Sequence, residues 1–442
     1  MKKLSFLFLI TISSLLPIRS QSNSLVLVSR AKSTTAKVAG ERLATYSIVY
    51  QGSADWDEGS EAAARLRDSL KSATGETLPT VADTAFSQGN AIHLIPSTSV
   101  GTFNYTLRCT TGQVYITGGS SWAFNRAVHL LCNQLRKGNV STYFSRSGTV
   151  TGDVLFDRYE DANLRILDDN IWQYDSKSNA VVWQNLNVDC RNSARGPQFA
   201  QLVRAYMPEV VTLQEYSSPM DAVFYPLIRK YGYTTATAGE GDNWNYTPVF
   251  YDTARVTLLE SGYHLYTPSQ WSNAGTKSYT YGVFTHKETG KRFIVFSTHL
   301  WWKSESAQAG SDSARYEQVN TLIAKAEELK LRYDCPIFVC GDMNSYETSI
   351  AIKAYFSHDF TPCYKVATGY ADNHNGHHVC SASEGFSRVS KRKADDRSGA
   401  IDHCLVTHAG TEMLVRSFDC LMPYFTVKLT DHYPNLIDIK LQ

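Results

Sequence analysis

The sequence has no excess of charge of either sign. Lysine and arginine together number 43 and aspartate and glutamate 42, which gives a formal net charge of +1 at pH 7. A protein whose only task is to grip duplex nucleic acid is more often basic, because lysine and arginine neutralise the phosphates. The balance weakens a pure nuclease interpretation without excluding one, since a local basic patch could do the work. With 442 residues, the chain is long enough for two domains.

Long apolar runs are scarce beyond the first residues. Lys2 and Lys3 precede the apolar run Leu4–Leu16, which has the length of the hydrophobic region of a signal peptide, and small residues follow it. A retained membrane anchor is the alternative, but the run is too short to span a bilayer comfortably. We therefore predict that residues 1–22 are a secretory signal peptide, that the protein is secreted or periplasmic, and that it has no stable membrane anchor.

Cysteine spacings that bind zinc or form redox motifs are missing. The chain has nine cysteines, an odd number, and contains neither CxxC nor a Cys/His zinc pattern. Cys340 and Cys404 lie in apolar runs, where a thiol behaves as a small hydrophobic group. Cys363 and Cys380 lie in loop-like sequence and could pair. The disulfide pairing stays open.

Residues 23–140 have the pattern of a small α/β domain. Short β-prone runs alternate with two amphipathic helices, Ser60–Ala73 and Trp122–Leu135. A hairpin is predicted between Tyr105 and Thr117, turning at Thr111-Gly112. Paired catalytic carboxylates are missing from this region. Residues 141–160 are rich in Ser, Gly and Thr, and we predict that they form a linker.

Residues 161–442 change to short, strongly apolar strands separated by amphipathic helices. Arg195–Met207 and Asp312–Leu329 have helical spacing, the second with Asp312 as a plausible N-cap. The turn Glu288–Gly290 joins two strands as a hairpin. Antiparallel sheets with helices outside predict an α+β fold, a four-layer α/β/β/α sandwich.

Short polar motifs follow the apolar strands of this second region in one fixed order. They supply carboxylate, amide and imidazole groups, and they are LDDN ending at Asn170, LQE ending at Glu215, THL with His299, GDMN with Asp342 and Asn344, IDH with Asp402, and TDH with Asp431 and His432. Each motif alone is more often a solvated cap or a turn. Together, at the ends of rigid strands, they predict one site for a hard cation and a phosphate.

On these motifs the sequence resembles the endonuclease/exonuclease/phosphatase superfamily, whose members include secreted deoxyribonucleases, abasic-site endonucleases, bacterial sphingomyelinases and inositol-polyphosphate phosphatases. The resemblance runs from about Asn163 to the C-terminus, and its strongest matches are PEVVTLQE, FSTHL, CGDMNS, AIDH and LTDHYP. The first strand departs from the family pattern, because Asp168 and Asp169 precede Asn170 where the family often has an aromatic or small residue.

The resemblance implies a metal site. Glu215 would be the principal ligand of Mg²⁺ or Mn²⁺, which prefer oxygen ligands. Asn170 would assist through its amide oxygen or a bound water, and Asp431 would complete the acidic rim. Whether one or two metals bind stays open.

The resemblance also implies the catalytic groups. Asp342 would orient or deprotonate the attacking water, while Asn344 would hold the nucleophile or a phosphate oxygen. His432 would meet the phosphoryl oxygens, with Asp402 fixing and charging it as a His–Asp pair. His299 would bind phosphate or assist the leaving group.

The substrate is less determined than the reaction. Trp301 and Trp302 follow His299 directly, and they are either a stacking surface for a base, sugar or lipid headgroup or one core and one partly exposed residue. The first region resembles, on GETLP, NAIHL and ITGGSSWAFNRAV, the accessory α/β domain that precedes catalytic domains in some bacterial glycoside hydrolases. That resemblance implies a packing or carbohydrate-associated role for it.

The interpretation as a whole is a secreted, metal-dependent hydrolase of a small or lipid-linked phosphodiester or phosphomonoester. A secreted endonuclease that cleaves DNA is the alternative, so nucleic acid stays open as a substrate. A third interpretation, a binding protein on an inactive enzyme fold, is weaker because every expected catalytic group is present. The oligomeric state is not indicated by the sequence.

Overall fold

The computed structural model describes residues 37–38, 41–51, 59–100, 104–119, 127, 148–153, 158, 161–175, 190–240, 243–267, 269, 271, 275–368, 399–407, 412–420 and 429–442. The predicted signal peptide lies outside these residues, and so does the predicted helix Trp122–Leu135 apart from Ala127. Within the described residues, every helix is too short or too polar to cross a bilayer.

The first part of the chain forms a sheet with a helix packed on it. The elements described there are β1 (Lys37–Val38), β2 (Glu41–Arg42), β3 (Tyr46–Tyr50), α1 (Gly59–Thr74), β4 (Thr80–Ala82), β5 (Asn90–Pro96), β6 (Asn104–Thr110), β7 (Gln113–Gly118) and β8 (Gly148–Asp153). The strand order is β4-β3-β5-β7-β6-β8. The predicted helix is confirmed as α1, whose apolar stripe Ala63, Leu66 and Leu70 is buried. The predicted hairpin is confirmed as β6–β7, which turns at Gly112 with φ of +73°.

Strand β8 lies inside the segment predicted as a linker. It pairs antiparallel with β6 from Gly148 to Asp153, so these residues are part of the first sheet. The Ser/Gly/Thr composition indicated a loop, but Thr149, Val150 and Thr151 are β-branched and suit an edge strand. The linker prediction is therefore wrong for this stretch, and the domain boundaries stay a prediction.

The second part of the chain is built from two six-stranded sheets, the two-stranded sheet β12–β13 and the helices between the strands. Its elements are β9 (Leu164–Asn170), α2 (Asn192–Tyr206), β10 (Val210–Gln214), α3 (Ser218–Arg229), β11 (Tyr233–Thr235), β12 (Gly239–Glu240), β13 (Asn243–Trp244), β14 (Val249–Asp252), β15 (Val256–Leu265), β16 (Ser278–His286), β17 (Arg292–His299), α4 (Ser311–Tyr333), β18 (Ile337–Asp342), α5 (Ile350–Phe356), β19 (Thr361–Pro362), α6 (Cys363–Val366), β20 (Asp402–Val406), β21 (Met413–Cys420) and β22 (Asn435–Leu441).

Both sheets are mixed, not purely antiparallel as the hairpin pattern predicted. The first has the order β11-β14-β10-β9-β22-β21 and the second β15-β16-β17-β18-β20-β19. Strands β9 and β10 are parallel, and so are β17 and β18. Each parallel pair is joined by a crossover that contains a helix, α2 in the first sheet and α4 in the second, which parallel pairing requires. The predicted hairpin between β16 and β17 is confirmed.

The apolar core confirms the predicted four layers. Leu167 and Leu213 of the first sheet cluster with Phe199 of α2 and Phe224 of α3. In the second sheet, residues of β17 and β18 cluster with the buried stripe of α4 and with α5. A third cluster lies between the sheets and joins side chains of β9 and β22 to side chains of β17 and β18. Helices therefore cover both outer faces of two packed sheets.

The beginning of α4 differs from its prediction. The helix begins at Ser311, after Gly310, so Asp312 is in the first turn and is not the N-cap. The carboxylate of Glu305 accepts hydrogen bonds from the backbone N–H groups of Gly310 and Asp312, at 2.7 and 2.9 Å. Asp312 instead forms an ion pair with Arg315. The Glu305 carboxylate, and not the side chain at the N-cap position, therefore satisfies backbone N–H groups at the start of the helix. The local N-cap pattern did not predict this contact.

Candidate active site

Strand register brings the polar motifs to one end of the sandwich. In the second sheet, His299 is the pairing partner of Asp342, and Asp342 is the partner of Asp402. These three side chains therefore form a row across β17, β18 and β20. In the first sheet, the parallel strands β9 and β10 end together, which places Asn170 and Glu215 side by side at their ends.

One carboxylate oxygen, Asp342 Oδ2, lies at the centre of this end. Asn170 donates to it through Nδ2 at 2.9 Å. His299 Nε2 lies 3.4 Å away and His432 Nε2 3.8 Å away. The other oxygen, Oδ1, accepts the backbone N–H of Asn344 at 2.9 Å. The structure thus gathers four other predicted catalytic and metal residues, Asn170, His299, Asn344 and His432, around the single carboxyl group of Asp342.

This carboxyl group is held in its ionised form. Burial alone would raise the pKa of Asp342, but the hydrogen bond of His299 and the charges of His432 and Lys277 hold that pKa well below its usual range. At neutral pH the group is therefore a hydrogen-bond acceptor only. That is the state required of a group that orients or deprotonates a water molecule.

His432 and Asp402 form the predicted buried pair. His432 Nδ1 lies 3.0 and 2.9 Å from the two carboxylate oxygens of Asp402. Burial disfavours the charged imidazole, but Asp402 raises the pKa of His432 well above its ordinary value, with Asp342 and Asp431 adding to the effect. His432 is therefore protonated at neutral pH. Its Nδ1 is occupied by Asp402, and its Nε2–H is directed toward the centre of the site.

The backbone at the rim of the site adopts a conformation that L-residues seldom take. Trp172, Glu215 and Asn344 have positive φ angles of 53°, 56° and 47°. Such residues carry backbone strain of about 1–3 kcal/mol each, and they persist where the surroundings hold them in place. Glu215 Oε2 accepts the N–H of Gln173, and Asn344 Nδ2 donates to the carbonyl of Leu300. These hydrogen bonds help to hold the side chains of Glu215 and Asn344 in position on the strained backbone.

Arg195 of α2 ties together two backbone segments beside the site. Its fully buried guanidinium donates to the carbonyls of Ile171, Trp172 and Tyr174 after β9, and to the carbonyl of Leu429 before the TDH motif, at 2.5–2.8 Å. Burial lowers the pKa of Arg195 to about 10, so it stays charged at neutral pH. The loop that supports Glu215 and the loop that carries His432 are therefore held by one side chain.

Asp431 is placed by its neighbour Thr430. The Thr430 hydroxyl donates to the carbonyl of Asn170 at 2.5 Å, which fixes the TDH loop against the end of β9. Asp431 is buried, and its Oδ1 lies 4.0 Å from His432 Nε2. The loop thus delivers Asp431 and His432 to the same side of the site as Asn170.

The donor set fits a hard cation. Asn170, Glu215 and Asp431 offer amide and carboxylate oxygens, the ligands that Mg²⁺ and Mn²⁺ prefer. Glu215 is half-buried and bonds Gln173 through Oε2 alone, which leaves Oε1 for a ligand. The strained backbone that presents this oxygen is the structural observation in favour of the fit. The individual ligand roles stay predictions.

A second group of possible ligands is Asp342, Asp402 and His432, with one atom of each within 4.8 Å of the others. We interpret it as an ion-pair network. His432 is protonated and bonded to Asp402, and a metal would need a neutral imidazole nitrogen with a free lone pair.

Asp168 and Asp169, which depart from the family pattern, are both buried. Asp168 accepts hydrogen bonds from Thr212 and Gln214 on the neighbouring strand, and burial raises its pKa to about 7. Asp169 points to the opposite face by strand alternation. Neither of its oxygens has a hydrogen-bond partner among the described residues, and burial raises its pKa well above the ordinary value.

Lys277 is a site residue that the sequence motifs missed. It immediately precedes β16, is 3% exposed, and its Nζ lies 2.6 Å from His299 Nε2. Burial lowers the pKa of Lys277 to about 8, although Glu215 and Asp342 oppose the shift. Burial, together with the charge of Lys277, lowers the pKa of His299 below its ordinary value, so this imidazole is neutral at neutral pH. The lysine was missed because no polar motif surrounds it.

The two tryptophans after His299 differ in exposure. Trp301 is 5% exposed, and its indole N–H donates to Ser311. Trp302 is 53% exposed, and Lys303 Nζ lies 5.5 Å from its ring centre. Trp301 is therefore a core residue, and only Trp302 offers a face to a ligand. On the other side of the site, Trp172 stacks on Tyr174 with ring centres 4.6 Å apart.

A polar site of this kind, at the strand ends of a four-layer sandwich, fits the class of phosphoester hydrolases. Residues 182–432 match the Endonuclease/Exonuclease/phosphatase family, and because this is more than half of the 442 residues, the chain belongs to that family. The match begins after β9, so it includes every predicted site residue except Asn170. No curated protein matches the sequence.

Several solved structures resemble the fold. An endonuclease/exonuclease/phosphatase from Bacteroides vulgatus is 22% identical, with 63% of this chain and 99% of that chain covered and a TM-score of 0.48. The mannosyl-6-phosphatase of Bacteroides thetaiotaomicron is 19% identical, with 62% and 99% covered and a TM-score of 0.47. The human Nocturnin catalytic domain is 20% identical, with 63% and 94% covered and a TM-score of 0.45.

Proposed function

We propose that this protein is a secreted, divalent-cation-dependent phosphoester hydrolase that acts on a small or lipid-linked phosphodiester or phosphomonoester. The observation that carries the proposal is the convergence on Asp342, whose Oδ2 lies within 3.8 Å of side-chain nitrogens of Asn170, His299 and His432. Family membership supports the hydrolase class. The basic and apolar residues at the start of the chain support secretion.

Asp342 is the group that would act on water. It is ionised and oriented by the N–H of Asn344 on one oxygen and by Asn170 on the other. A water bonded to it would be turned toward the phosphorus, and Asp342 would take its proton as attack proceeds. Because the pKa of Asp342 is held low, this carboxylate is a weak base, and orienting the water is the larger part of its role.

His432 would bind the developing charge on the phosphoryl oxygens. Its proton is held by the pair with Asp402, so Nε2–H is available as a charged donor at neutral pH. Charged donors that are already in place stabilise a transition state more than mobile water does. Neutral His299 lies beside the same carboxylate and would contact phosphate or the leaving group.

Asn170, Glu215 and Asp431 would hold Mg²⁺ or Mn²⁺. When bound, the cation neutralises phosphoryl charge and orients the substrate. Glu215 accepts only one backbone hydrogen bond among the described residues, so its carboxylate is available to bind a cation.

The experiment is a screen of purified protein against a phosphomonoester, a phosphodiester, sphingomyelin and DNA, with Mg²⁺, with Mn²⁺ and with EDTA. We expect cation-dependent hydrolysis of a small or lipid-linked ester, because the net charge is near zero. Cleavage of DNA alone would replace the proposal by the nuclease alternative.

Glu215→Ala and His432→Ala test the assigned groups. Each should abolish activity, a fall of about 10³-fold or more, and leave the fold intact. Matched controls are Glu288→Ala and His358→Ala, which lie at exposed positions. Full activity in either site variant would refute the assigned site.

A further inference from the structure

Lys277 is a buried cation that no anionic side chain of the described residues bonds. Its ammonium lies 2.6 Å from Nε2 and 3.2 Å from Nδ1 of His299, and these are its hydrogen-bonding contacts within the described residues. Buried lysines in proteins are normally paired with a carboxylate. This one packs against a single imidazole at the centre of the site.

That contact cannot satisfy the ammonium group. Lysine has three N–H donors, whereas a neutral imidazole offers one nitrogen lone pair. At least two donors are therefore left over in a place from which water is largely excluded, since Lys277 is 3% exposed. Such an arrangement is unfavourable unless an acceptor enters the site.

The surroundings show what kind of acceptor belongs there. His299, which Lys277 contacts, lies 3.4 Å from Asp342 Oδ2, so the lysine sits within one side chain of the proposed water-activating group. The charges of Glu215 and Asp342 act on Lys277 from a distance without bonding it. An anion placed between these groups and His432 would receive hydrogen bonds from two cationic side chains.

We propose that Lys277 is a phosphate-binding residue whose ammonium donates to a non-bridging phosphoryl oxygen, and that it favours the dianionic phosphoryl group of a phosphomonoester over the monoanion of a diester. The proposal rests on the proposed function and narrows it. A second cationic donor beside His432 interacts more strongly with the second negative charge that a monoester carries.

The test compares the native protein with Lys277→Met, Lys277→Arg and, as a control, Lys291→Met, an exposed lysine on the same hairpin. Binding of inorganic phosphate to the Mg²⁺-loaded protein is measured by calorimetry. Hydrolysis of 4-nitrophenyl phosphate and bis(4-nitrophenyl) phosphate is measured as kcat and KM. Thermal unfolding verifies the fold, and Lys277→Met should melt no lower than the native protein because it removes an unsatisfied charge.

In Lys277→Met we expect phosphate binding to weaken about tenfold to a hundredfold, and kcat/KM to fall more for the monoester than for the diester. Lys277→Arg should recover part of both losses, and Lys291→Met should match the native protein. Native phosphate affinity in Lys277→Met, or equal losses on the two esters, would overturn the proposal. If the native protein hydrolyses neither ester, the proposed function fails, and the phosphate titration alone decides whether Lys277 binds phosphate.

Discussion

The same strands of the first sheet carry buried charge at both ends, and the two ends are built differently. At one end lies a set that we call the paired cluster: Arg158, Arg165, Glu209, Arg255 and Asp438. Here Arg165 donates to both oxygens of Asp438, at 2.6 and 2.9 Å. Glu209 accepts from the backbone N–H of Arg165 and from the side chains of Arg158 and Arg255. Every carboxylate oxygen in this cluster has a donor.

The opposite end of β9, at Asp169 and Asn170, holds the candidate site. Asp169 there has two buried oxygens without a hydrogen-bond partner in the described chain. The ammonium of Lys277 hydrogen-bonds only the imidazole of His299 among the residues that the structure describes. Backbone strain at Glu215 and Asn344 lies at this end as well. The comparison indicates that fully paired charges hold the fold, whereas incompletely paired charges are retained for a ligand, at a cost in stability.

The largest effect on stability is expected from breaking the paired cluster. Asp438→Asn leaves the fully buried Arg165 guanidinium without its counter-charge, which should lower the free energy of unfolding by about 3–5 kcal/mol. Urea unfolding measures the change. Asp359→Asn, at an exposed carboxylate 4.0 Å from Lys330, is the control and should change stability by less than about 1 kcal/mol. Similar losses in the two variants would mean that the paired cluster does not stabilise the fold.

A smaller effect of opposite sign is expected at the site end. Asp169→Asn should raise the free energy of unfolding at pH 7 by about 2 kcal/mol in the presence of EDTA, because it removes a buried acid with a raised pKa. A raised pKa in an acid destabilises the native protein as pH increases above the unfolded value of about 4. The advantage of the variant should therefore shrink as pH falls toward 4. An advantage that does not change with pH would show that the charge of Asp169 is not its cause.

The smallest effect is expected from a paired charge near the surface. Glu260 accepts from Arg332, Tyr281 and Tyr333, and although burial opposes the shift, these hydrogen bonds lower the pKa of Glu260. Glu260→Gln should destabilise by about 1 kcal/mol at pH 7. A lowered pKa means that this contribution is present above about pH 4.3 and is lost as pH falls further. Thermal unfolding at pH 7 and pH 3 should show a larger difference between native and variant at pH 7 than at pH 3.

The sequence patterns predicted the strands and site of residues 161–442 better than the strands of the preceding region. Each polar motif ends an apolar strand, and register does place His299, Asp342 and Asp402 in one row, so reading strand ends is enough to assemble most of the site. The parallel pairings could not be read in this way, because pairing direction depends on the crossover and not on the strand itself. Strand β8 was missed because its composition is that of a loop.

The surroundings of Lys277 and Asp169 could not be predicted from the sequence. A lysine before a strand is normally exposed, and nothing in TKSYTYG indicates that this one is buried against His299. Asp169 was noticed only as a departure from a family pattern, and its missing partner is a property of the folded core. Both features arise from tertiary contacts, which local composition does not encode.

The hydrogen bonds of Arg195 restrict changes in the length of the two backbone segments that it joins. Because one guanidinium holds the carbonyls of Ile171, Trp172, Tyr174 and Leu429, a change in length of either segment would move its own carbonyls away from Arg195 and end the link between the two segments. Grafted loops or natural insertions at these two segments would therefore have to keep both spacings at once. The segment of Trp302 and Lys303 is held by a different guanidinium, that of Arg315, which donates to the carbonyl of Lys303. The exposed Trp302 side chain can therefore be exchanged without changing the hydrogen bonds of Arg195.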